Sequence, residues 1–392
     1  MKYKTVKLGE YLYIKGRIGW KGLKKNEYLP HSDYRIINGE SLTDDGIDWS
    51  KAGYITKERY DESPEIMLQE GDILVSKDGT IGKIGYITSL DAPTTVASGI
   101  FVIRNLNPEL IDTRFIYNFL CSKRFKDFIT MRTEGSVIPH LYQKDFVELD
   151  FPLPPIDEQK KIATILSALD EKIAINREIN ENLERQAMAL FKSWFVDFDS
   201  VSKLGFIESE LGDIPYGWRI YTLSEFLPVK TGKKNANVSS DKGAYPFFSC
   251  SQDFSWTDEY SFEGHAILVA GNGDFNVKWY NGKFEAYQRT YVLIPYVERY
   301  TDWLYYAVKY NLESITSAAR GSVIKFITKG NLENFAFAAP ENLEKCEIID
   351  TFSSINRIID ALTQENYRLA EIRDSLLPKL MAGEIDASAV HL

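Results

Sequence analysis

The sequence predicts an α+β fold built twice, with two globular domains in pseudo-two-fold arrangement separated by an antiparallel two-helix coiled coil. Three observations predict it. Between Pro155 and Phe198, apolar, Asn or Ala side chains recur at alternating steps of four and three: Ile162, Leu166, Leu169, Ile173, Asn176, Asn180, Leu183, Ala187, Leu190 and Trp194. That is the seam of a heptad helix. The seam returns 186 positions on, from Ile162 to Ile348, as Ile348, Phe352, Ile355, Ile359, Leu362, Asn366, Leu369, Arg373, Leu376 and Leu380, with no insertion or deletion. Ahead of each helix lies a stretch of short β-type runs punctuated by turn residues.

A chain of 392 residues exceeds what one hydrophobic core usually supports, and the duplication makes the domain count two. Its 44% hydrophobic and 13% aromatic content argues for packed domains rather than disorder. No apolar run approaches the ~20 residues of a membrane span, and Met1-Lys2-Tyr3-Lys4 leads into no apolar signal segment. No membrane partner and a cytoplasmic location are the expectations. Cys121, Cys250 and Cys346 are odd in number and far apart, as expected of reduced thiols. With only His31, His140, His265 and His391, none four residues from another, no metal site is expected and Ser-His chemistry has little to draw on.

In order, the chain divides into a first domain (1–154), a coiled-coil helix (155–198), a connector (199–216), a second domain (217–340), a second coiled-coil helix (341–385) and a tail (386–392). In the first domain, strands are expected within Gly71–Gly79, Ile84–Ile87 and Ile100–Ile103, and a helix over Thr113–Thr130. The prolines of Phe151-Pro152-Leu153-Pro154-Pro155 close the domain, and Asp157 is the expected N-cap of the first long helix. That helix, of ~40 residues, would be ~60 Å long.

The second domain repeats the outline: Ala266–Gly273 answers Asp72–Gly79, Thr301–Tyr305 answers Thr113–Tyr117, Arg320–Ile324 answers Glu134–Ile138, and Pro340 answers Pro154. It receives the chain from the end of the first helix and passes it to the start of the second. Both ends therefore lie near it, and the helices should pair antiparallel with adjacent chain termini. A parallel pair would need the connector nearly fully extended. Asn180 and Asn366 occupy equivalent seam positions and either fix the register, loosen the helices or meet a partner. Pro378 should end or kink the second helix near Leu377.

The net charge of −10 argues at first against a nucleic-acid partner. Its distribution weakens the objection: residues 156–197 carry −2, 341–386 carry −5 and 198–216 carry −3, which leaves the remaining sequence neutral. Two basic clusters stand at corresponding places, Lys15, Arg17, Lys21, Lys24 and Lys25 in the first half and Lys230, Lys233 and Lys234 in the second, neither interrupted by an acid. Such loops neutralise phosphates, although a solvated lysine-rich loop has the same composition. The Gly-Ser-Val-Ile segments at Gly135–Ile138 and Gly321–Ile324, with Ser136 and Ser322, suit close backbone approach to a phosphate and equally a domain-closing turn. Candidates for base reading are Lys77, Lys83, Arg132 and Gln143 in the first half and Asn272, Lys278, Arg289, Arg320 and Lys325 in the second.

No Walker loop, dinucleotide fingerprint, nucleophile elbow or H-E-x-x-H appears, and Leu153-Pro154-Pro155-Ile156 lacks the amide or acid and the aromatic of a methyltransferase motif. Asp72 and Asp78 are the nearest approach to a metal site, and their second-half counterparts are not acidic. No catalytic residue is expected.

Several motifs resemble the specificity subunits of type I restriction-modification systems. They are Gly135-Ser136 with Pro139-His140, Phe151-Pro152-Leu153-Pro154-Pro155-Ile156-Asp157-Glu158-Gln159-Lys160-Lys161-Ile162, Leu376-Leu377-Pro378-Lys379-Leu380-Met381-Ala382-Gly383-Glu384-Ile385, and the connector Glu210-Leu211-Gly212-Asp213-Ile214-Pro215-Tyr216-Gly217-Trp218. The second copy departs from the pattern with Ala338-Ala339-Pro340-Glu341, so its joint to the helix is expected to differ. The resemblance implies two target-recognition domains, each reading one half of a bipartite double-stranded DNA site, with the helices as spacer and as docking surface for two methyltransferase subunits. Restriction subunits, nuclease and translocase, would join the larger complex. It implies a non-catalytic subunit without a cofactor of its own; S-adenosylmethionine would sit in the partner methyltransferase. The contrasting readings are a stand-alone DNA-modifying or DNA-cleaving enzyme and a protein-only coiled-coil scaffold.

Overall fold

The computed structural model describes residues 3–18, 22–43, 46–133, 140–201, 203, 205–240, 243–317 and 326–390. The chain divides into two compact units, Met1–Ala174 with Glu365–Leu392, and Ile175–Gln364.

The first unit runs through β1 (Lys4–Lys7), β2 (Leu12–Gly16), β3 (Tyr34–Ile37), β4 (Gly53–Ile55), β5 (Ile73–Ser76), β6 (Ile84–Tyr86), β7 (Thr94–Val96) and β8 (Ile100–Asn105). Then come α1 (Thr113–Cys121), α2 (Lys123–Thr133), α3 (Gln143–Val147), β9 (Asp150–Leu153) and the beginning of α4 (Ile156–Phe195). The principal sheet has the order β2-β8-β5-β6, a side sheet is β4-β3-β7, and β1 pairs with β9. Strand alternation assigns the two faces of the principal sheet. Ile73, Val75, Phe101 and Ile103 enter a core with Phe115 and Phe119 of α1. Leu74, Ile100 and Val102 point the other way, into a core with Ile37 and Val96. The sheet is covered on both faces, which is why Ile73–Ser76 is buried throughout.

The helix expected over Thr113–Thr130 is broken at Ser122. Its amide donates to the Phe119 carbonyl, and its hydroxyl accepts from the Phe125 amide at 3.4 Å, so one serine ends α1 and begins α2.

The second unit contains β10 (Trp218–Thr222), β11 (Val229–Thr231), β12 (Tyr245–Phe248), β13 (Ser255–Thr257), β14 (Phe262–Ala270), β15 (Val277–Ala286), β16 (Thr290–Leu293), α5 (Thr301–Tyr310), α6 (Lys329–Glu333) and β17 (Ala336–Pro340), and ends in the first part of α7 (Ile348–Ala382). Its principal sheet, β11-β16-β14-β15-β12-β13, begins with the order of β2-β8-β5-β6, and β10-β17 repeats β1-β9. One difference is instructive. In the first unit β7 is a separate strand lying parallel to β3, whereas in the second the far end of β15 pairs parallel with β12 through Phe247–Glu285 and Phe248–Ala286. A longer β14–β15 hairpin thus fuses the side sheet with the main one. The connector (199–216) contains a small hairpin pairing Phe206–Ile207 with Ile214–Pro215.

Within the first unit Arg373 of α7 bonds Asp170 of α4 at 2.8 Å, and Lys172 reaches Glu365 at 3.5 Å. Within the second, Asn180 of α4 bonds the Thr363 hydroxyl at 3.1 Å, and the rings of Phe191 and Phe195 each lie 6.4 Å from that of Phe352. Rising numbers on one helix meet falling numbers on the other, so the pair is antiparallel. Ile162, Leu166, Leu169, Ile173, Asn176 and Ala187 of the seam are buried. Asn180, Leu183 and Leu190 are half-buried, as are Ile348, Ile355, Ile359, Leu362, Asn366, Leu369 and Leu376, while Phe352 and Leu380 are buried. Ile162 and Leu166 of the seam join the first unit's core and Ala187 and Phe352 the second's, while Leu169, Ile173 and Asn176 are buried outside both cores.

Three local expectations are corrected. The first helix begins at Ile156, with the amides of Glu158 and Gln159 donating to the Pro155 carbonyl, so Asp157 lies in the first turn rather than at the cap. It ends at Phe195 rather than Phe198, and Phe198, at φ 59°, turns the chain away with its ring 5.3 Å from that of Trp218. Pro378 does not end α7, which continues to Ala382. Its missing N–H costs one backbone bond, but Leu377, Leu380 and Met381 are buried in the first unit's core and hold the last turns, and Ala387 of the tail joins them. The two domain-to-helix joints differ as expected. Pro154 and Pro155 alone separate β9 from α4, and Gln159 bonds the Pro154 and Leu110 carbonyls and the Asp112 amide; residues 341–347, with a 3-10 turn at Leu343–Lys345, separate β17 from α7.

Candidate nucleic-acid interface

The strongest internal correspondence between the units is a turn at one end of each principal sheet. In the first, the Lys77 amide donates to the Gly99 carbonyl at 2.8 Å, and the Lys77 carbonyl accepts from the Leu141 amide at 3.1 Å. In the second, the Gly271 amide donates to Arg289 at 2.9 Å, and its carbonyl accepts from Ile327 at 2.8 Å. Lys77 therefore corresponds to Gly271, Asp78 to Asn272 and Gly79 to Gly273. The two glycines, at φ 65° and 71°, have open space where a Cβ would stand. A left-handed residue is needed at that point of the turn, and glycine adopts it without penalty.

The first turn is further fixed by Ser76, whose hydroxyl donates to the Thr80 carbonyl at 2.6 Å and accepts from the Lys83 amide at 2.8 Å. The Asp78 carboxylate contacts Nδ1 of His140, and the His140 ring lies 4.6 Å from that of Tyr142, which is 54% exposed. The segment carrying these rings enters α3 through a capping box, the Tyr142 amide donating to Asp145 at 2.7 Å; the Thr328 amide donates to Asn331 at 2.8 Å before α6. Backbone this well tied is what a base-reading loop requires.

Around these turns the structure gathers some candidates and disperses others. Lys15 and Lys230 hold equivalent ladder positions, opposite Val102 and Val292. The Lys77 ammonium lies 4.9 Å from the centre of the Phe101 ring. Lys83 is half-buried, Gln143 is exposed in the first turn of α3, and Arg289 is exposed on the second unit's corresponding loop. Lys24 and Lys25 are exposed on a 3-10 turn that the Lys24 amide closes by donating to Glu27 at 2.7 Å. Lys233 faces the Phe262 ring at 5.6 Å. Lys21, Ser136, Arg320, Ser322 and Lys325 lie outside the described residues.

Arg17 is a correction. It is only 2% exposed, with Nε donating to the Val96 carbonyl at 3.1 Å and the other nitrogens to Ser63 and Thr95. Burial, and then Arg59, pull its pKa below the ordinary guanidinium value. A charge so enclosed cannot meet a phosphate. Three other cations are committed within the fold. Lys234 pairs with Glu259 at 2.5 Å, Arg132 with Glu148 at 2.9 Å, and the half-buried Lys278 donates to the Ser249 and Ser251 carbonyls. Glu259 is remote in sequence, so the second cluster, acid-free along the chain, has an acid in space. Asp78, His140, Tyr142 and Lys144 were not among the sequence candidates for this surface. For His140, Tyr142 and Lys144 the signal is the 186-residue offset, traced back from the helices through Gln143 and Lys329 to Leu141 and Ile327; for Asp78 it is the pairing of Asp72–Gly79 with Ala266–Gly273.

Among the described residues no three His, Cys, Asp or Glu gather as metal ligands. Asp72 is held in the core by both carboxylate oxygens, each 2.7 Å from Arg104. A cavity of about 880 Å³ beside Phe195, Ile214, Ile315 and Phe337 has no charged residue, histidine or cysteine among the described residues of its lining. No helix among the described residues is long and apolar enough to cross a membrane.

The family model described as type I restriction modification DNA specificity domain matches residues 1–185 and 215–371. The type I restriction enzyme EcoDI specificity subunit of Escherichia coli is 35% identical over 178 residues, which span 44% of this chain and 40% of that subunit. The MjaIX specificity subunit of Methanocaldococcus jannaschii is 24% identical over 371 residues, spanning 84% and 81%. In fold the chain is similar to the type I restriction-modification S subunit from M. genitalium, with a TM-score of 0.58, 21% identity and 96% of each chain covered. With both repeats matched by the family model, the chain belongs to the type I restriction-modification DNA specificity family.

Proposed function

We propose that this chain is the non-catalytic DNA specificity subunit of a type I restriction-modification complex, each domain reading one half of a bipartite, asymmetric site. The observation that carries this reading is the turn built twice on the same backbone bonds with different exposed residues: Lys77-Asp78-Gly79 beside His140, and Gly271-Asn272-Gly273 beside Phe326. A common frame with changed contents is what reading two different words requires.

The helices serve as spacer and as the docking surface for two methyltransferase subunits. Ile175, Ile179 and Ile358 in the second unit, and Tyr367 and Ile372 in the first, are each at least 40% exposed on the helices, apolar side chains that a partner would cover. Methyl transfer from S-adenosylmethionine to a flipped adenine belongs to that partner, and nuclease and translocase subunits complete the restriction assembly.

The test is a map of methylated adenines across the source genome with the gene intact and deleted. Loss of methylation at one bipartite motif on deletion is the expected result. An unchanged map, together with no sequence preference in DNA binding by the assembled complex, would leave a protein scaffold as the better reading.

A further inference from the structure

We infer that Asp78 and Asn272 are matched base-reading positions that read by different chemistry: Asp78 accepts from an exposed amino group, of cytosine or of adenine, and Asn272 donates to and accepts from an adenine. This rests on the specificity reading and goes further by naming a residue and its chemistry in each half.

The equivalence, implied already by the sequence pairing of Asp72–Gly79 with Ala266–Gly273, is fixed by hydrogen bonds, since Lys77 and Gly271 make the same two backbone bonds and are each followed by one residue and a left-handed glycine. Aspartate or asparagine before glycine is ordinary turn chemistry, and the backbone alone explains that much. It does not explain the side chains' surroundings. Asp78, whose side chain is 44% exposed, is met by the imidazole of His140 at one oxygen, Oδ1. Donation from Nδ1 orients the carboxylate and leaves Oδ2 as an acceptor. Asn272 is bridged through its backbone to Phe326, which is 40% exposed, and among the described residues no hydrogen bond engages its carboxamide, which keeps both a donor and an acceptor.

Ionised carboxylate only accepts. In the major groove it matches the N4 amino group of cytosine, or the N6 amino group of adenine, and is repelled by the acceptors of guanine and thymine. Carboxamide donates and accepts at once and matches N7 and N6 of adenine. A carboxylate close to phosphates also needs cations beside it, and Lys77 and Lys83 flank Asp78 along the turn, whereas Gly271 replaces the former in the second unit.

The test uses the full chain assembled with its methyltransferase subunits and a duplex library randomised in both half-sites. Wild type, Asp78→Asn with His140→Phe, and Asn272→Asp are compared by selection and sequencing. The paired substitution recreates in the first unit the combination the second already carries, so folding is expected to survive; melting temperatures within a few degrees of wild type check this. Should the pair fail to fold, Asp78→Asn alone replaces it. The expected result is a change in preference of about tenfold or more at one position of one half-site for the first variant and at one position of the other half-site for Asn272→Asp. Unaltered preferences at all positions in both variants, with wild type selecting a bipartite motif, would overturn the assignment and leave the specificity reading standing. A parallel fall in binding to every sequence would also overturn it, because that marks backbone positioning. If wild type selects no motif, the specificity reading fails and the assignment with it.

Discussion

Lys15 and Arg17 are two residues apart in one basic cluster, yet only one of them is available to a ligand. Lys15 sits on β2 opposite Val102, while the Arg17 guanidinium is enclosed by Ser63, Thr95 and Val96. The composition that marked the cluster was plain in the sequence. The enclosure was not, because its walls come from positions some 46 to 79 residues away. Arg17→Ala is expected to lower stability by about 2–3 kcal/mol, the scale for charge-assisted hydrogen bonds lost from a buried site, measured by urea denaturation. Lys15→Ala and Lys230→Ala should each change stability by less than about 0.5 kcal/mol. Each should also reduce the slope of log affinity against log salt for DNA binding by the complex by about one phosphate contact; an unchanged slope would remove that lysine from the interface.

At the scale of elements, the long helices were the most legible part of the chain, because a heptad pattern is a direct statement about which side chains share a face. The polar member Asn180 shows where legibility stops. Its amide bonds the Thr363 hydroxyl and, at 3.4 Å, the Ile359 carbonyl, but its own Oδ1 is buried without a partner. Thr363 keeps a 2.7 Å bond to Ile359 without it. Asn180→Leu should therefore stabilise the helix pair by about 1 kcal/mol, since it removes an unsatisfied acceptor and fills the seam, visible as a raised midpoint in thermal denaturation. A lowered midpoint would mean that the amide's contacts matter more than its orphaned oxygen. Pro378 makes the converse point: local rules ended the helix near Leu377, and the anchoring of Leu380 and Met381 in the first unit's core carried it on.

For the whole molecule, the specificity reading makes the coil a ruler. Deleting residues 176–182 together with 359–365 removes one heptad from each helix, about 10 Å at 1.5 Å per residue, or about three base pairs at 3.4 Å each. The methylated motif of a complex carrying that deletion should keep both half-site words and lose about three base pairs from its gap. An unchanged gap, read from the methylation map, would reject the ruler and leave the coil as a docking element alone.

By itself the sequence determined the duplication, the two heptad helices, three strands of the first unit's principal sheet and the family. Each of these is written in local periodicity or in a motif whose residues are neighbours along the chain. Only the tertiary structure decided which charges remain free, since Arg17, Lys234 and Lys278 are claimed by carbonyls, hydroxyls and a carboxylate from other segments. It alone decided that Leu141 ties to Lys77 and Ile327 to Gly271, which sets His140 and Phe326 beside two corresponding turns. Periodicity tells which way a side chain points from its own element. What it meets there depends on residues distant in sequence, and hydrogen bonding and burial between them are settled only when the sheets close.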